Sequence, residues 1–212
     1  MCSRYAFVPD SHAWGDFRTA FGELADALLA LQARPKLAPT DAVPIVVQQP
    51  GGPSQLIEAR WGFIPQWWSK AELPRLSFNA RSEEAATKPM WREALRRARC
   101  LIPATAWFEW QKARGVKIPH SLQLHDGRGF LFAGLWSLWR PRPDAEARAT
   151  CAILTMAASP GVVHVHDRMP VVLAPEAWNA WLDPSLTDSV AALEIVQRHS
   201  VRAVVAVTVD TR

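Results

Sequence analysis

The stretch LIPATAWFEWQKARGVKIPHSLQLHDGRGFLFAGLWSLW, residues 101–139, decides the fold class. Its aromatic, β-branched and alternating apolar residues predict strands over 101–110, 120–125 and 130–139, and Gly127-Arg128-Gly129 predicts a hairpin turn between the last two. A further strand is expected over 150–157. Upstream, the apolar runs Val43–Gln48 and Gln55–Trp61 flank Pro50-Gly51-Gly52-Pro53, the pattern of two strands joined by a turn. Short extended segments are expected at 2–8, 169–173 and 201–209. Trp14, Phe17, Phe21, Leu24, Leu28 and Leu31 step by threes and fours, which predicts one amphipathic helix over 14–31, capped by Asp10 or Ser11 and ended before Pro35. Other helices are expected over 89–99, 175–182 and near 189–197. Residues 62–74 read as an aromatic, proline-containing loop and 140–148 as a surface loop. Strands and helices alternate irregularly without an internal repeat. The expected fold is therefore α+β, a single domain over 1–212 built on a curved, mostly antiparallel sheet or distorted β-barrel with peripheral helices.

Hydrophobic residues make up 49% of the chain and charged residues 21%, a balance that supplies a sizeable core and excludes wholesale disorder. The net charge of +4 permits a polyanionic partner without demanding one. Arg92, Arg96, Arg97 and Arg99, with Lys112, Arg114 and Lys117 behind them, form a basic cluster whose plainer reading is a solvated helix face and a basic turn. The three cysteines, Cys2, Cys100 and Cys151, are too scattered for a disulfide framework or a paired-ligand zinc motif. No signal-peptide pattern and no apolar run long enough for a membrane span is present, so a cytoplasmic protein is expected.

Cys2 carries the most chemical information. Trimming of Met1 leaves a residue with both a free α-amine and a thiol. Their reference pKa values of about 7.7–8.0 and 8.5 leave only a minority of either in nucleophilic form at neutral pH, so a nearby base or cation has to assist. With an aldehyde, the amine forms a Schiff base and the thiolate closes onto the imine carbon as a five-membered thiazolidine, an intramolecular step and hence a favoured one. In an extended segment Arg4 projects to the same face as Cys2, where it can stabilise the thiolate or hold a phosphate. Taken alone, a cysteine after the start codon is also simply a cysteine.

Six segments in order, MCSRYAF (1–7), APT (38–40), WGFIPQWW (61–68), NARSE (79–83), CLIPATAWFEW (100–110) and HDRMPVVLAPEAW (166–178), resemble the motif set of the SRAP family, the SOS-response-associated peptidase-like proteins that process abasic sites. The resemblance implies recognition of abasic sites in single-stranded DNA. It also implies a covalent crosslink from the N-terminal cysteine to the ring-opened sugar, which shields the lesion. Carried over by position, Cys2 is the crosslinking residue, Asn79 the asparagine of NAR, Glu109 the acid of WFEW and His166 the histidine before DRMP. Expected DNA contacts are Arg4, Trp67, Trp68, Arg81 and Arg168.

These residues also make chemical sense. Dehydration of a carbinolamine needs a proton donor and acceptor, and Glu109, set between Phe108 and Trp110, would suit that role if burial raises its pKa; a solvent-facing strand glutamate is the plain alternative. His166 would position or protonate the sugar hydroxyl, or else be a structural histidine tied to Asp167. His164 and His166 lack further ligands at metal-binding spacing, so neither metal nor cofactor is expected. Asn79 would orient the N-terminus or the sugar, Arg81 would meet phosphate, and Trp67 and Trp68 would wedge at a base step or stack on unpaired bases. Most other tryptophans, Trp136 and Trp139 among them, are expected to pack the core. The chain departs from the family pattern at Ser3 (usually glycine), at Pro35 and Lys36 (usually tyrosine and asparagine), and near Ala206 (usually asparagine). A monomer is expected. The competing readings are an N-terminal-nucleophile hydrolase using the Cys2 thiol and α-amine, and a non-covalent single-stranded nucleic-acid module.

Overall fold

A computed structural model of the chain describes residues 2–70, 72–113, 115–142 and 144–209; Met1 and Arg114, both part of the sequence-based expectations, lie outside them. The N-terminal segment enters β1 (Tyr5–Phe7), buried at every position. The expected helix over 14–31 is instead three pieces. A 3-10 turn at Ser11–Trp14, capped by the Asp10 carboxylate accepting from the His12 N–H at 3.0 Å, leads into α1 (Gly15–Phe21) and α2 (Leu24–Leu29). Gly22 separates the two helices at φ +52°, a left-handed conformation that costs glycine little because it has no Cβ. Trp14, Phe17 and Leu28 are nevertheless all buried. The periodicity reported which side faces the core and not the continuity of the axis.

Strand β2 (Arg34–Leu37), absent from the sequence reading, pairs with β1. The expected hairpin of β3 (Ala42–Gln48) and β4 (Ser54–Trp61) is present. After the long loop come β5 (Asn79–Arg81), α3 (Ser82–Ala85) and α4 (Arg92–Arg97). The single strand expected over 101–110 is broken at Thr105 into β6 (Arg99–Ala104) and β7 (Ala106–Ala113), which belong to different sheets. At this corner the Thr105 N–H donates to the Ala6 carbonyl at 2.8 Å, so the backbone stays paired as it changes sheet.

The Gly127-Arg128-Gly129 turn does not make a hairpin. Strand β8 (Val116–Leu124) pairs with β7 in register from Trp107↔Leu122 to Ala113↔Val116, whereas β9 (Phe130–Trp139) leaves for the other sheet. The hairpin is one turn earlier, at Gly115, whose φ is +81°. The chain continues through β10 (Arg148–Ala157), β11 (Arg168–Pro170) and β12 (Val172–Leu173), then α5 (Trp178–Leu182), α6 (Ser189–His199) and β13 (Val204–Thr208).

One sheet runs β13-β8-β7-β1-β2; the other runs β11-β10-β4-β3-β6-β9-β12, with β5 beside β10. A further pairing of β9 with β10 closes β10-β4-β3-β6-β9 into a five-stranded barrel, which removes the exposed edges those strands would otherwise present. All pairings are antiparallel except β10 with β4 and with β5. The α+β fold on a largely antiparallel, distorted barrel thus matches the sequence expectation. The two sheets meet through Tyr5 and Trp107 from the first and Trp61 and Phe132 from the second. Tyr5 lies 5.2 Å from Trp61 and 5.8 Å from Phe132, and Trp107 lies 6.0 Å from Phe132, all edge to face. Tyr5, three residues after Cys2, ties the N-terminal segment into that aromatic junction.

Candidate functional site

Strand pairing delivers the N-terminus to Glu109. Tyr5 lies opposite Trp107 in antiparallel register, and the Phe108 N–H donates to the Arg4 carbonyl at 2.9 Å. Each residue backward from Tyr5 therefore meets one residue forward from Trp107, which carries the segment before Arg4 toward Glu109. From the other side, β5 runs parallel to β10 with Asn79 beside Ile153. The Asn79 side-chain amide donates to the Cys2 carbonyl at 2.7 Å. Its amide oxygen is buried without a hydrogen-bond partner, an acceptor left open beside the N-terminal residue.

Cys2 is 0% exposed, and its Sγ–H donates weakly to the Arg4 carbonyl at 3.7 Å. Burial pushes the thiol well above its ordinary pKa, and the Glu109 carboxylate raises it further; the thiol is held protonated. Arg4 offers Cys2 its carbonyl, while its guanidinium turns back to the Ser3 carbonyl at 2.6 Å. Glu109 is only 4% exposed, and burial raises its pKa above the usual carboxylate range, as its aromatic flanks suggested.

His166 borders the same face: its pKa is lowered by burial first, with the Lys112 charge among the lesser contributions. The neighbouring Asp167 also acts on Glu109. His166 Nδ1 lies 2.9 Å from the Arg168 N–H and also 2.9 Å from the Asp167 carboxylate. One nitrogen cannot accept the first and donate to the second. The lowered pKa and the 84% exposure of the Asp167 side chain favour the neutral ring, with Nδ1 accepting from backbone and Nε2 carrying the proton. Among the described residues, no group of three or more His, Cys, Asp or Glu side chains is placed to hold a metal ion, and no helix is long and apolar enough to cross a membrane.

The expected DNA contacts divide. Arg81, two residues beyond Asn79 on β5, has a 56% exposed side chain and only a long 3.9 Å contact to Glu84. Arg168 is engaged internally. Its Nη1 and Nη2 donate to the two Glu83 carboxylate oxygens at 2.7 and 2.9 Å, and Nη2 also donates to the Thr155 carbonyl at 2.7 Å. Trp67 is 56% exposed. Trp68, 5.9 Å away between ring centroids, is half-buried, and its indole N–H is tied to the Glu72 carbonyl at 2.9 Å. Their loop is anchored where the Ile64 N–H donates to Thr150 Oγ1 at 3.0 Å. Thr150 lies three residues along β10 from Ile153, the neighbour of Asn79, which is about 10 Å of strand.

The basic cluster is partly structural. Arg99 is buried and donates to the carbonyls of Leu95, Arg96, Trp181 and Asp183, satisfying helix-end acceptors of α4 and α5; burial lowers its pKa to about 10. Arg97 pairs with Glu93 at 3.0 Å. Trp139 is buried and Trp136 packs on the core, as expected. Sequence reasoning missed His120, which lies directly opposite Glu109 in the β7–β8 register. The turn that brings them together was read one hairpin too late.

The family model described as SOS response associated peptidase (SRAP) matches residues 1–212. The chain is 35% identical over 153 residues to the abasic site processing protein YoqW of Bacillus subtilis (strain 168), covering 72% of this chain and 67% of that one. It is 32% identical over 196 residues to the abasic site processing protein YoaM of the same organism, covering 88% and 81%. Among solved structures, a protein from Bacteroides thetaiotaomicron superposes with a TM-score of 0.80 at 22% identity, over 99% of this chain and 93% of that one, a likeness of fold. A phage-related protein from Bordetella bronchiseptica superposes with a TM-score of 0.74 at 27% identity, over 99% and 95%. With the ordered motifs folded around one buried N-terminal cysteine and the family model spanning its length, the chain belongs to the SOS response associated peptidase (SRAP) family.

Proposed function

We propose that the protein recognises abasic sites in single-stranded DNA and captures the sugar aldehyde on Cys2 as a thiazolidine once Met1 is removed. The observation that carries this reading is the Asn79 clamp on the Cys2 carbonyl beside a buried carboxyl of raised pKa. A protonated, buried thiol is a poor first nucleophile, so the α-amine attacks the aldehyde. Glu109 takes a proton from the ammonium and returns one to the carbinolamine hydroxyl, which leaves as water. The thiol then gives its proton to the Glu109 carboxylate, regenerated once water departs, and closes on the imine carbon. Asn79, with its open amide oxygen, orients the amine; neutral His166 donates through Nε2 to the sugar hydroxyl freed by ring opening. Arg81 meets phosphate and Trp67 stacks on an unpaired base. One protomer carries the whole constellation, which supports action as a monomer. The names of the curated relatives, abasic site processing proteins, support the substrate.

Incubation with a single-stranded oligonucleotide bearing one abasic site, followed by denaturing electrophoresis, tests this. A band that survives denaturant and forms only with the lesion is expected. Binding that is wholly reversible and salt-sensitive would leave a plain nucleic-acid module instead. The family description favours one second reading, peptide hydrolysis, here removal of Met1 by the chain itself. Retention of Met1 in Cys2→Ala and Glu109→Ala supports self-processing, and normal trimming in both removes it.

A further inference from the structure

We propose that His120 and His164 form a proton relay that connects the buried Glu109 carboxyl to solvent. It rests on the capture chemistry above, whose balance requires such an exit. An N-terminal ammonium, a thiol and an aldehyde give a thiazolidine, one water and one proton. The C–N and C–S bonds form, the carbonyl C=O is lost, and its oxygen departs carrying two of the three protons released by nitrogen and sulfur. The third proton has to leave a site whose nucleophile is 0% exposed and whose acid/base is 4% exposed.

The sheet supplies the path. Glu109 on β7 and His120 on β8 are directly opposed, so their side chains share a face with Cβ atoms about 4.5–5.5 Å apart. His120 is 6% exposed. Its Nε2 lies 3.2 Å from Gln111 Oε1, and an amide oxygen only accepts, so Nε2 carries the ring proton. Nδ1 is then a bare lone pair, and it is buried with no hydrogen-bond partner. A buried ring nitrogen without a partner costs stability, and here it belongs to the residue directly opposite the one that must unload a proton. Outward, the His164 ring stands edge-on to His120 at 6.3 Å between centroids and is itself exposed.

The groups facing His120 are Glu109 and Gln111 on β7, His164 on the turn before β11, and Thr208 on β13, which does not titrate in this range. Burial, and then His164, lower the His120 pKa, so the ring is neutral at neutral pH and holds a proton only in passing. A proton passes from Glu109 to His120 and on to His164 and water. Both histidines act through Glu109 and touch no reacting atom.

The test compares single-turnover adduct formation by the unaltered protein, His120→Ala and the surface variant His164→Ala, on saturating abasic oligonucleotide with imidazole added in rising concentration. The relay predicts slowing of about tenfold, a fraction of the roughly 10²–10⁴-fold typical of direct general acid–base transfer. It also predicts unchanged oligonucleotide affinity and recovery of the rate with imidazole, to which the unaltered protein does not respond. Unaltered rates in both folded variants, or slowing that imidazole does not relieve, overturn the relay. Failure of the unaltered protein to form adduct overturns the capture chemistry and the relay with it.

Discussion

Asn79 and Cys2 are joined by a 2.7 Å hydrogen bond from side-chain amide to backbone carbonyl across 77 residues of sequence, and this contact ties the backbone at Cys2 to β5. Substituting Asn79→Ala removes the donor and leaves the Cys2 carbonyl to find another. The expected stability loss is about 1 kcal/mol, read by urea unfolding. The expected loss in adduct rate exceeds tenfold, because orientation of the amine is lost along with the bond. A stability loss with an unchanged adduct rate would reduce Asn79 to a structural tether.

Glu109→Gln keeps the shape and removes the acid. Adduct formation is expected to slow by roughly 10²–10⁴-fold while oligonucleotide affinity holds. Stability moves the other way. The folded pKa of Glu109 is raised by burial, so the carboxyl costs nothing below its unfolded pKa of about 4.3 and costs progressively more as pH rises from there through the raised value. Urea unfolding should therefore show Glu109→Gln gaining stability relative to the unaltered protein as pH climbs out of the acid range. A constant difference across pH would place the carboxyl in an ordinary, solvated state.

Cys2→Ala keeps the α-amine after trimming and loses the ring-closing sulfur. A borohydride-trappable imine, accompanied by strand cleavage through β-elimination, should replace the stable adduct. Absence of both products would mean that the amine does not attack.

Arg81 and Arg168 predict different phenotypes from one residue type. Arg81→Ala should weaken single-stranded DNA binding and shallow the salt slope by about 0.7, one phosphate's worth, with stability within about 0.5 kcal/mol of the parent. Arg168→Ala strips the partner from Glu83, whose pKa is lowered chiefly by the hydrogen bond from Arg168. Its effect should fall on stability, and the ion-pair share of that loss fades as pH drops through the lowered Glu83 pKa and protonates the carboxyl. Salt-dependent binding and denaturant unfolding separate the two; a salt-slope change for Arg168 equal to that for Arg81 would show that DNA displaces Glu83.

What was legible in the sequence follows its physical range. Cys2, Asn79 and Glu109 stood in short contiguous motifs, and the aromatic flanks Phe108 and Trp110 marked Glu109 for a buried strand, although the strands that carry the three residues pair across long stretches of chain. Trp67 was readable as exposed because prolines deny its loop a regular core position. The hairpin was misplaced because Gly115 and Gly127 both offer a left-handed turn, and only the pairing of Lys112 with Lys117 shows which one reverses the chain. The break at Thr105 was hidden for a related reason, since both halves remain extended while they change sheet. Arg99 read as part of a basic surface cluster and Arg168 as a DNA contact. Their partners Trp181 and Glu83 lie 82 and 85 residues away, beyond anything local pattern reports. His120 lay hidden behind the same hairpin error.

Intact mass under denaturing conditions, after incubation with a single-stranded oligonucleotide carrying one abasic site, tests the central claim most directly. The predicted species is the protein without Met1 plus the oligonucleotide minus one water, absent with undamaged DNA and with Cys2→Ser. Complete loss of Met1 with no such species on the abasic oligonucleotide would contradict capture by Cys2.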